Sequence, residues 1–347
     1  MKYKEMSDFD ALYIAYKKSK RGKGYNQSRL KFELSALDGI SQLKHLLRTR
    51  KFTVSPYNSF MVYEPKERII EAGSFKDKIV QHSLCDNVLL PLLKKEFIPT
   101  NIAGQINKGT YYGLDCLREH MQQAYMKYGY DCWIIKGDIR KYFYNIDHDI
   151  LKDIVQYYVD DEDIEWLCEK FIDSTQSPGL PLGNQIAQVF ALLYLSGFDH
   201  FVTGELGVLY YGRCTDDFYL IVRNKEYALE CLEQIKNFIG TLNIELNGKT
   251  QLIPFKRGIK YCGFHTYVTY DGKCIVKLLN DKKRHAKKKY KKMVYLISDG
   301  KLSKEKFLES YQSWKNHASY GNCVKLINKM DEYIKSIMKE RSIEMKI

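Results

Sequence analysis

One stretch in the second half of the chain decides the fold: residues 207–223, GVLYYGRCTDDFYLIVR. Two runs rich in aromatic and β-branched residues flank Asp216 and Asp217, and this pattern predicts a β-hairpin with the two carboxylates at its tip. Asp is also a good residue for an ordinary turn, so the pair alone does not define a site. The pair Asp160-Asp161, which lies in the polar stretch VDDED, is expected to be a solvated helix cap instead.

A third carboxylate, Asp138, strengthens the case for a site. It ends a short β-type run that begins at Cys132. Ionised carboxylates at the ends of buried strands are costly unless a cation neutralises them. Two or three converging carboxylates can hold a pair of Mg²⁺ ions about 3.5–4 Å apart, and such ions serve phosphoryl transfer. The sequence therefore predicts that Asp138, Asp216 and Asp217 meet in an open cleft.

Composition narrows the class of protein. The 347 residues are 45% hydrophobic and 28% charged, which is ordinary globular usage and excludes wholesale disorder. The 55 Lys and Arg exceed the 42 Asp and Glu, giving a net charge of +13, and a polyanionic partner is the usual reason for such a surplus. The nine cysteines form no CxxC pair, and no secretory signal or membrane span is visible. We therefore expect a cytoplasmic protein with reduced thiols and no membrane partner.

Residue periodicity predicts a helical head, a mixed centre and a helical tail, which is an α+β arrangement. Helices are expected over 8–50, with a basic interruption at 17–24 that separates two of them, and at 76–96, 149–158, 162–173, 185–201 and from 279 onward. Strands are expected at 56–72 (an edge hairpin containing Pro65), 251–255, 260–268 and 273–278. The helix that follows the interruption carries an apolar stripe, which consists of Leu34, Leu37, Ile40, Leu43, Leu46 and Leu47.

The helix that begins at residue 279 is strongly basic. It carries eight Lys or Arg and one Asp between residues 281 and 292, so we expect it to bind phosphates, with Tyr290 available for stacking.

Several segments, in order from about residue 56 to 320, resemble the motifs of reverse transcriptases. Residues 134–151, IIKGDIRKYFYNIDHDIL, resemble the first palm motif, and residues 179–195, GLPLGNQIAQVFALLYL, resemble the template-and-nucleotide motif. YYGRCTDDFYLIV resembles the double-aspartate hairpin, and residues 247–268, NGKTQLIPFKRGIKYCGFHTYV, resemble the last two palm motifs, including the primer grip. Residues 63–84, YEPKERIIEAGSFKDKIVQHSL, are similar to the fingers of group II intron-like bacterial enzymes, and SYQSWKNHASY at 310–320 is thumb-like.

The resemblance implies a right-hand polymerase of the α+β class, with helical fingers at 1–130, a palm with an antiparallel sheet at 131–278 and a helical thumb at 279–347. The implied activity is that of an RNA-directed DNA polymerase, a nucleotidyltransferase that adds deoxynucleoside monophosphates to a 3′-hydroxyl with two Mg²⁺ ions, for which Mn²⁺ can substitute. The implied partners are a template RNA, an RNA/DNA duplex and dNTPs. A small accessory protein or a second copy of the chain is a further partner to consider.

The resemblance also assigns roles to individual residues. Metal binding falls to Asp138, Asp216 and Asp217, with Ile139 supplying a backbone oxygen. Phe143 matches the steric gate against a ribose 2′-hydroxyl, and Lys249 matches the basic residue that assists the departing pyrophosphate; a core phenylalanine and a surface lysine are the plain alternatives. The other implied nucleotide contacts are Lys66, Arg68, Leu182, Gly183 and Gln188. The implied nucleic-acid contacts are Lys78, Gln105, Lys108, Tyr261, Gly263, Lys283, Arg284, Lys287 and Lys288.

Two departures from the family pattern bear on function. Cys214 stands where the double-aspartate motif normally has an aromatic residue, which puts fidelity or primer grip in doubt. Leu182 stands where most reverse transcriptases have Gln, and Ala187-Gln188 replaces Ser-Pro. This pattern is similar to that of diversity-generating retroelement enzymes, which copy a template RNA with errors at adenine. A leucine cannot hydrogen-bond the incoming nucleotide as an amide does, so the enzyme would select less strictly for correct base-pair geometry.

Three functional interpretations stay open at this stage. The first is a reverse transcriptase of a bacterial retroelement, error-prone as in diversity generation. The second is an antiviral defence-associated reverse transcriptase that makes templated-repeat, untemplated or protein-primed DNA. The third is a non-catalytic RNA-binding scaffold, and the complete aspartate set argues against it because a degenerate palm has no reason to keep costly strand-end carboxylates.

Overall fold

The computed structural model describes residues 2–21, 27–63 and 67–343. The helices, in chain order, are α1 (Tyr3–Met6), α2 (Phe9–Lys20), α3 (Gln27–Glu33), α4 (Ala36–Arg48), α5 (Phe75–Leu84), α6 (Leu90–Leu93), α7 (Thr110–Tyr128), α8 (His148–Tyr158), α9 (Glu162–Ile172), α10 (Gln185–Tyr194), α11 (Ser196–His200), α12 (Lys225–Thr241), α13 (Asn280–Ser298), α14 (Lys304–Ser319) and α15 (Val324–Glu340). The strands are β1 (Asn58–Val62), β2 (Arg68–Ala72), β3 (Trp133–Asp138), β4 (Tyr210–Cys214), β5 (Asp217–Val222), β6 (Gln251–Pro254), β7 (Ile259–Tyr261), β8 (Phe264–Val268) and β9 (Cys274–Leu278). Every strand pair is antiparallel, so the expected α+β class is confirmed.

A four-stranded sheet in the order β4-β5-β3-β6 forms the centre of the molecule. β5 reads DFYLIV, and every residue after the first is buried, as expected for a strand covered on both faces. Because successive side chains point to opposite faces, Phe218 and Leu220 pack with residues of α8, α10 and α12, while Tyr219 and Ile221 pack with residues of α7. The predicted strand ending at Asp138 and the predicted double-aspartate hairpin are both present.

Within the predicted fingers, β1 and β2 form a hairpin, which confirms the edge hairpin expected from sequence alternation. Two residues named above, Pro65 and Lys66, lie outside the described residues. Helix α5 follows the hairpin directly. Ser74 caps it by accepting a hydrogen bond from the backbone N–H of Asp77 at 3.3 Å, which satisfies one of the donors that a helix start leaves open.

The apolar stripe expected over residues 34–47 is only partly correct. Ile40, Leu43 and Leu47 are fully buried in the core, but Leu34 is 90% exposed and Leu37 is 59% exposed. The reason is the break between α3 and α4, since Leu34 lies between the two helices and no single helical face runs through it.

The single strand expected over 260–268 is wrong, because the structure has two strands there. β7 and β8 pair as a hairpin with Tyr261 opposite Phe264, and β9 adds a third strand on the far side of β8. Cys262 and Gly263 form the turn and both have positive φ, 49° and 84°, as a type I′ hairpin turn requires. Gly signals such a turn but Cys does not, so the sequence pattern resembles one continuous strand.

Helices α13, α14 and α15 pack around an apolar cluster of their own. Tyr290 lies inside it: the residue is 2% exposed, and its hydroxyl donates to the backbone oxygen of Ser310 at 2.7 Å. The expectation that Tyr290 stacks on a base or sugar is therefore wrong, because its ring packs between the helices. Its neighbours Arg284 and Lys288 are exposed.

The division into 1–130, 131–278 and 279–347 stays a prediction. Its two limits fall in connections of the chain, since α7 ends at Tyr128, β3 begins at Trp133 and α13 begins at Asn280. Among the described residues, one helical stretch, Gln185–Glu205, has the length and hydropathy of a membrane span. In this fold 72% of its apolar window is buried inside the protein, and packing against the central sheet accounts for its composition.

We predict that Gly137→Ala destabilises the fold by about 1–3 kcal/mol, because a Cβ at this position would overlap the fully buried ring of Phe218. The measurement is the free energy of unfolding from urea denaturation. The matched control is Gly240→Ala in α12, where a Cβ meets nothing within 4 Å and helix propensity favours alanine. Equal effects at the two positions would contradict the packing shown here.

Candidate active site

Strand pairing brings the three predicted aspartates together. β3 ends at Asp138 and β5 begins at Asp217, and the two residues are directly opposite each other in the sheet. Asp216 lies in the turn just before β5, and its carboxyl group is within hydrogen-bonding distance of the carboxyl group of Asp138. All three are half-buried, so the cluster is reachable from solvent. The convergence expected from sequence is therefore what the fold produces.

The electrostatics of this cluster favour a bound cation. The pKa of Asp216 is raised to about 6, first by burial and then by the negative charges of Asp138 and Asp217. The third carboxylate, Asp217, has Lys136 as a partner, with Oδ1 and Nζ 3.3 Å apart. Among the described residues no three His, Cys, Asp or Glu side chains form a ready-made metal cage. The fit to a divalent ion therefore rests on the Asp138–Asp216 contact, where a hard cation would replace repulsion by attraction to oxygen ligands.

A fully buried ion pair supports the turn that carries Asp216. Arg213 and Asp199 are both 0% exposed, and two 2.6 Å hydrogen bonds join the guanidinium Nε and Nη2 to the two carboxylate oxygens. The third nitrogen, Nη1, donates to the backbone oxygen of Thr215 at 2.7 Å. Thr215 has a φ of 61°, a conformation that β-branched residues avoid, so this bond holds a strained residue in place directly before Asp216.

Sequence reasoning missed this ion pair. Asp199 receives two more hydrogen bonds, from the Tyr211 hydroxyl at 2.6 Å and from the Asn101 side-chain amide at 3.4 Å. A buried charge persists only with such partners, because an unpaired one is very costly. The signal available in the sequence was an arginine, Arg213, inside an apolar β-run, since a charge at a buried strand position requires a partner elsewhere in the chain.

Asn247 is a second contact that sequence reasoning missed. Its side-chain Nδ2 donates to Oδ2 of Asp138 at 2.8 Å, and its backbone N–H donates to the Asp138 carbonyl oxygen at 2.7 Å. Ile139, predicted to supply a backbone oxygen, is 1% exposed as a whole residue, so its role at the site stays a prediction.

The residues predicted to contact the nucleotide lie on several elements, and most of them are exposed. Phe143 is half-buried in the short helical turn after β3, with its ring centroid 5.7 Å from that of Tyr142. Lys249 is exposed in the connection before β6, and Arg68 is exposed at the start of β2. Gln188 is exposed on α10. Lys66 lies outside the described residues, so its predicted contact is not placed.

The loop that contains Leu182 and Gly183 packs directly on the fingers hairpin. The backbone oxygen of Leu182 accepts a 2.9 Å hydrogen bond from the Glu71 N–H. Gly183 has a φ of 110°, and a Cβ there would lie 2.9 Å from Ile70, so this position requires glycine on two counts. The Leu182 side chain is half-buried beside this contact.

A polar recess of about 230 Å³ opens next to this loop. It is lined by Lys78, Gln81, His82, Gly183, Asn184, Gln185 and Gln188, which include three predicted contacts. Gln81 Nε2 and Asn184 Oδ1 are buried without a hydrogen-bond partner among the described residues. Such atoms can accept or donate to a polar group that enters the recess.

Some predicted nucleic-acid contacts are engaged with the chain itself. The Gln105 side chain donates to the Asn101 backbone oxygen at 2.6 Å, and Lys108 Nζ donates to the Pro99 backbone oxygen at 2.8 Å. Burial lowers the pKa of Lys108. Both side chains therefore stabilise a turn, and the prediction that they contact template is not supported by where they point.

The primer-grip segment shows a similar split. Tyr261 is 2% exposed, with its ring edge against that of Tyr219, so its predicted contact with nucleic acid is wrong for the side chain. A Cβ at Gly263 would meet nothing within 4 Å, which leaves the turn open to a strand of nucleic acid. Cys214, at the position where the family motif has an aromatic residue, lies close enough to Cys262 in this turn for the two thiols to interact. The contact raises the pKa of Cys262 and ties the double-aspartate hairpin to the primer-grip turn.

Four of the predicted nucleic-acid contacts lie in the first three turns of α13: Lys283, Arg284, Lys287 and Lys288. Arg284, Lys287 and Lys288 are exposed, and Lys283 is half-buried with its Nζ donating to Asn280 at 3.2 Å. Lys287 also lies over the ring of Tyr333, with its Nζ 4.1 Å from the ring centroid. The cations thus form a charged surface on the helix, and their contact with nucleic acid stays a prediction.

The antiparallel sheet carries Asp216 and Asp217 at a hairpin and Asp138 at the end of the neighbouring strand. This arrangement is the palm of a right-hand polymerase. Residues 65–266, more than half of the chain, match the family described as reverse transcriptase (RNA-dependent DNA polymerase). The chain belongs to that family.

Individual relatives agree with this assignment. The chain is 28% identical over 223 residues to a COX1/OXI3 intron 2 protein of Saccharomyces cerevisiae, which covers 58% of this chain and 24% of that protein. It is 24% identical over 207 residues to an uncharacterized 91 kDa protein in the cob intron of Schizosaccharomyces pombe, covering 56% of this chain and 25% of that protein. The chain thus spans about a quarter of the length of these two relatives.

A solved structure shares the fold. Telomerase from Candida albicans, determined in complex with a fragment of telomeric RNA, superposes with a TM-score of 0.50 at 10% sequence identity. The match covers 88% of this chain and 65% of that chain. At this identity the likeness concerns the fold alone, and it confirms the right-hand polymerase architecture.

We predict that Asp216→Asn stabilises the metal-free protein in a pH-dependent way. The folded-state pKa of Asp216, about 6, lies above its ordinary value of 3.8, so the folded state holds a proton that the unfolded state releases, and stability falls as pH rises between these values. Asparagine removes this loss, which amounts to about 2–3 kcal/mol above pH 7. The measurement is urea denaturation in a chelator at pH 4 and pH 7.5.

The control for this prediction is Asp160→Asn, an exposed carboxylate outside the cluster. The gain from Asp216→Asn should grow with pH and shrink when Mg²⁺ is added, while the control stays flat. A gain that is the same at both pH values would mean that Asp216 carries no raised pKa.

Proposed function

We propose that this chain is an RNA-directed DNA polymerase. The observation that carries the proposal is the contact between the carboxyl groups of Asp138 and Asp216 at the ends of adjacent strands, in a chain that belongs to the reverse transcriptase family. A contact between like charges costs free energy in the metal-free protein, and a site that binds divalent cations is the reason for a fold to keep it.

The proposed reaction joins a primer to a nucleotide. The 3′-hydroxyl gives up its proton to water and its oxygen attacks the α-phosphorus of a dNTP. A new P–O bond forms, and the bond between the α-phosphorus and the oxygen bridging to the β-phosphate breaks with release of pyrophosphate. Asp138 and Asp216 would hold Mg²⁺, or Mn²⁺ in its place, with Asp217 and the Ile139 backbone completing the site. Bound divalent cations supply charge stabilisation to the attacking and leaving oxygens.

Other residues act on the substrate around this centre. The half-buried Phe143 ring, in the short helical turn five residues after the end of β3, would crowd a ribose 2′-hydroxyl and so favour deoxynucleotides. Lys249 and Arg68 are exposed cations that would offset the charge of the triphosphate, and Lys249 would give a proton to the departing pyrophosphate. These roles are proposed from the family resemblance, and Arg68 at the start of β2 and Lys249 before β6 are both exposed to a substrate.

The proposed partners are a template RNA, the RNA/DNA duplex and dNTPs. The basic surface of α13 and the open turn at Gly263 support duplex binding. We also propose a cytoplasmic enzyme of a bacterial retroelement in the group II intron-like lineage, and two of its relatives are intron proteins. We include among the proposed partners a small accessory protein or a second copy of the chain.

Error-prone copying is the finer part of the proposal. Leu182 presents an aliphatic side chain beside the fingers contact, where it cannot hydrogen-bond a nucleotide. Sequencing the DNA made by the purified chain on a defined RNA template tests this directly. Errors concentrated at template adenines would support diversity generation, errors spread evenly would contradict it, and a homopolymer or simple repeat would indicate the defence-type untemplated reaction.

The central test compares the chain with Asp216→Asn on an RNA template with an annealed DNA primer. We expect incorporation of dNTPs to fall by about 100-fold or more, because a carboxamide binds Mg²⁺ far more weakly than a carboxylate. RNA affinity, measured by filter binding, should stay within about threefold, and Asp160→Asn should retain full activity. A wild-type chain that binds RNA but incorporates nothing with Mg²⁺ or Mn²⁺ would support the scaffold interpretation instead.

The role of α13 is tested by salt dependence. Arg284→Gln with Lys288→Gln removes two exposed cations one turn apart, and we expect weaker duplex binding and a log Kd–log salt slope smaller by about 2. The matched control is Lys170→Gln with Lys236→Gln, two exposed cations on α9 and α12. If both double variants change the slope equally, binding follows net charge and not this helix.

A further inference from the structure

Asn247 links two groups that the proposed reaction uses. It lies in the connection between α12 and β6, two residues before Lys249. Its side-chain Nδ2 donates to Oδ2 of Asp138 at 2.8 Å, and its Oδ1 accepts a 3.1 Å hydrogen bond from the backbone N–H of Lys249. The Asn247 amide therefore contacts Asp138, the predicted metal ligand, through its nitrogen. Through its oxygen it contacts the backbone of Lys249, the residue predicted to assist the departing pyrophosphate.

The backbone holds this amide in place. The Asn247 N–H donates to the Asp138 carbonyl oxygen at 2.7 Å, and the Arg140 N–H donates to the Glu245 carbonyl oxygen at 2.9 Å. Between them Ile139 and Leu246 form an isolated antiparallel bridge. The connection thus runs alongside the end of β3 in a fixed register, and the Asn247 side chain meets Asp138 because of that register.

The chemistry of the position requires an amide. The contact with Asp138 needs a donor, and the contact with the Lys249 N–H needs an acceptor, so a carboxylate fails at the first and an alkyl group at both. A serine hydroxyl can accept from the residue two positions on, as an ST turn, but it lacks the atom that reaches Asp138. A neutral donor also leaves the carboxylate its negative charge, whereas a lysine or arginine there would compete with a metal ion.

We propose that Asn247 is a positioning residue that fixes the Asp138 carboxylate for metal binding and sets the place of Lys249 through the same side chain. This rests on the proposed function for its catalytic consequence. With Oδ2 of Asp138 bound to the amide, Oδ1 is the oxygen presented to a cation. The two halves of the amide then couple the metal ligand to the cation that meets the leaving group.

Two variants separate the two halves. Asn247→Ser keeps an acceptor for the Lys249 N–H and loses the donor to Asp138, whereas Asn247→Ala loses both. The matched control is Asn243→Gly: Asn243 lies in the same connection and donates to Asp147 Oδ2 at 3.1 Å, away from the acidic cluster. Its φ of 52° is one that glycine adopts without strain.

The first measurement is Mn²⁺ binding to the protein on a primer–template duplex without dNTP, followed by electron paramagnetic resonance of the free ion. Loss of a residue that orients a metal ligand typically weakens affinity 10–100-fold, so we expect a Kd at least about 10-fold higher for Asn247→Ser and Asn247→Ala, with no change for Asn243→Gly. Duplex affinity without metal reports folding and should be unchanged in all three.

The second measurement is steady-state incorporation. Asn247→Ser should raise the KM for Mg²⁺ and leave the KM for dNTP and the effect of Lys249→Ala as in the wild type. Asn247→Ala should lower kcat further, and Lys249→Ala should then cost less than it does in the wild-type background, because the two residues act as one unit.

The outcomes distinguish the inference from the proposed function. Wild-type Mn²⁺ affinity in a folded Asn247→Ser variant would overturn the inference whatever the activity. Weakened Mn²⁺ binding together with an inactive wild-type chain would keep the inference for metal binding and reject the polymerase. Additive effects of Asn247→Ala and Lys249→Ala would reject the coupling to Lys249 alone.

Discussion

The pairing of β3 with β5 forces negative charges into contact, and much of the surrounding structure compensates for this one constraint. The register puts Asp138 opposite Asp217 and leaves Asp216 in the adjoining turn. Compensation comes from inside the protein: Lys136 faces Asp217, Asn247 bonds Asp138, and Arg213 holds the strained residue before Asp216. The fold supplies donors around the cluster while keeping its net negative charge, which is the condition for attracting a cation.

The buried ion pair shows how this arrangement is made rigid. Two charges at 0% exposure are costly, and their hydrogen bonds to backbone and to neighbouring side chains are what make the pair tolerable. The same guanidinium that balances Asp199 also reaches the Thr215 carbonyl. Stability of the palm core and geometry of the site are therefore properties of a single network.

The sequence predicts the central strands and the three aspartates well, but it does not predict the contacts that hold these aspartates in place. The double-aspartate hairpin and the strand ending at Asp138 follow from short apolar runs that end at acids, a local pattern. Two supporting contacts join residues that are not neighbours in the chain: Arg213 with Asp199, and Asn247 with Asp138. No local sequence pattern predicts either contact.

The errors have local physical causes. The β7–β8 hairpin was missed because a cysteine occupies a turn position with positive φ, and the α3–α4 break was missed because leucine spacing continues through it. Tyr290 was expected to stack because it lies in a basic helix, and Tyr261 to contact nucleic acid because its segment resembles the primer grip. Both are buried, since an aromatic residue at either place is equally suited to a core and only packing decides between the two.

The attachment of the nucleotide loop to the fingers has an evolutionary consequence. The loop is held by the main-chain oxygen of residue 182 on the Glu71 N–H, and by the close approach of Gly183 to Ile70. Neither contact involves a side-chain atom of residue 182. Related chains can therefore differ at this one position and still keep the hydrogen bond and the glycine contact that join the loop to the hairpin.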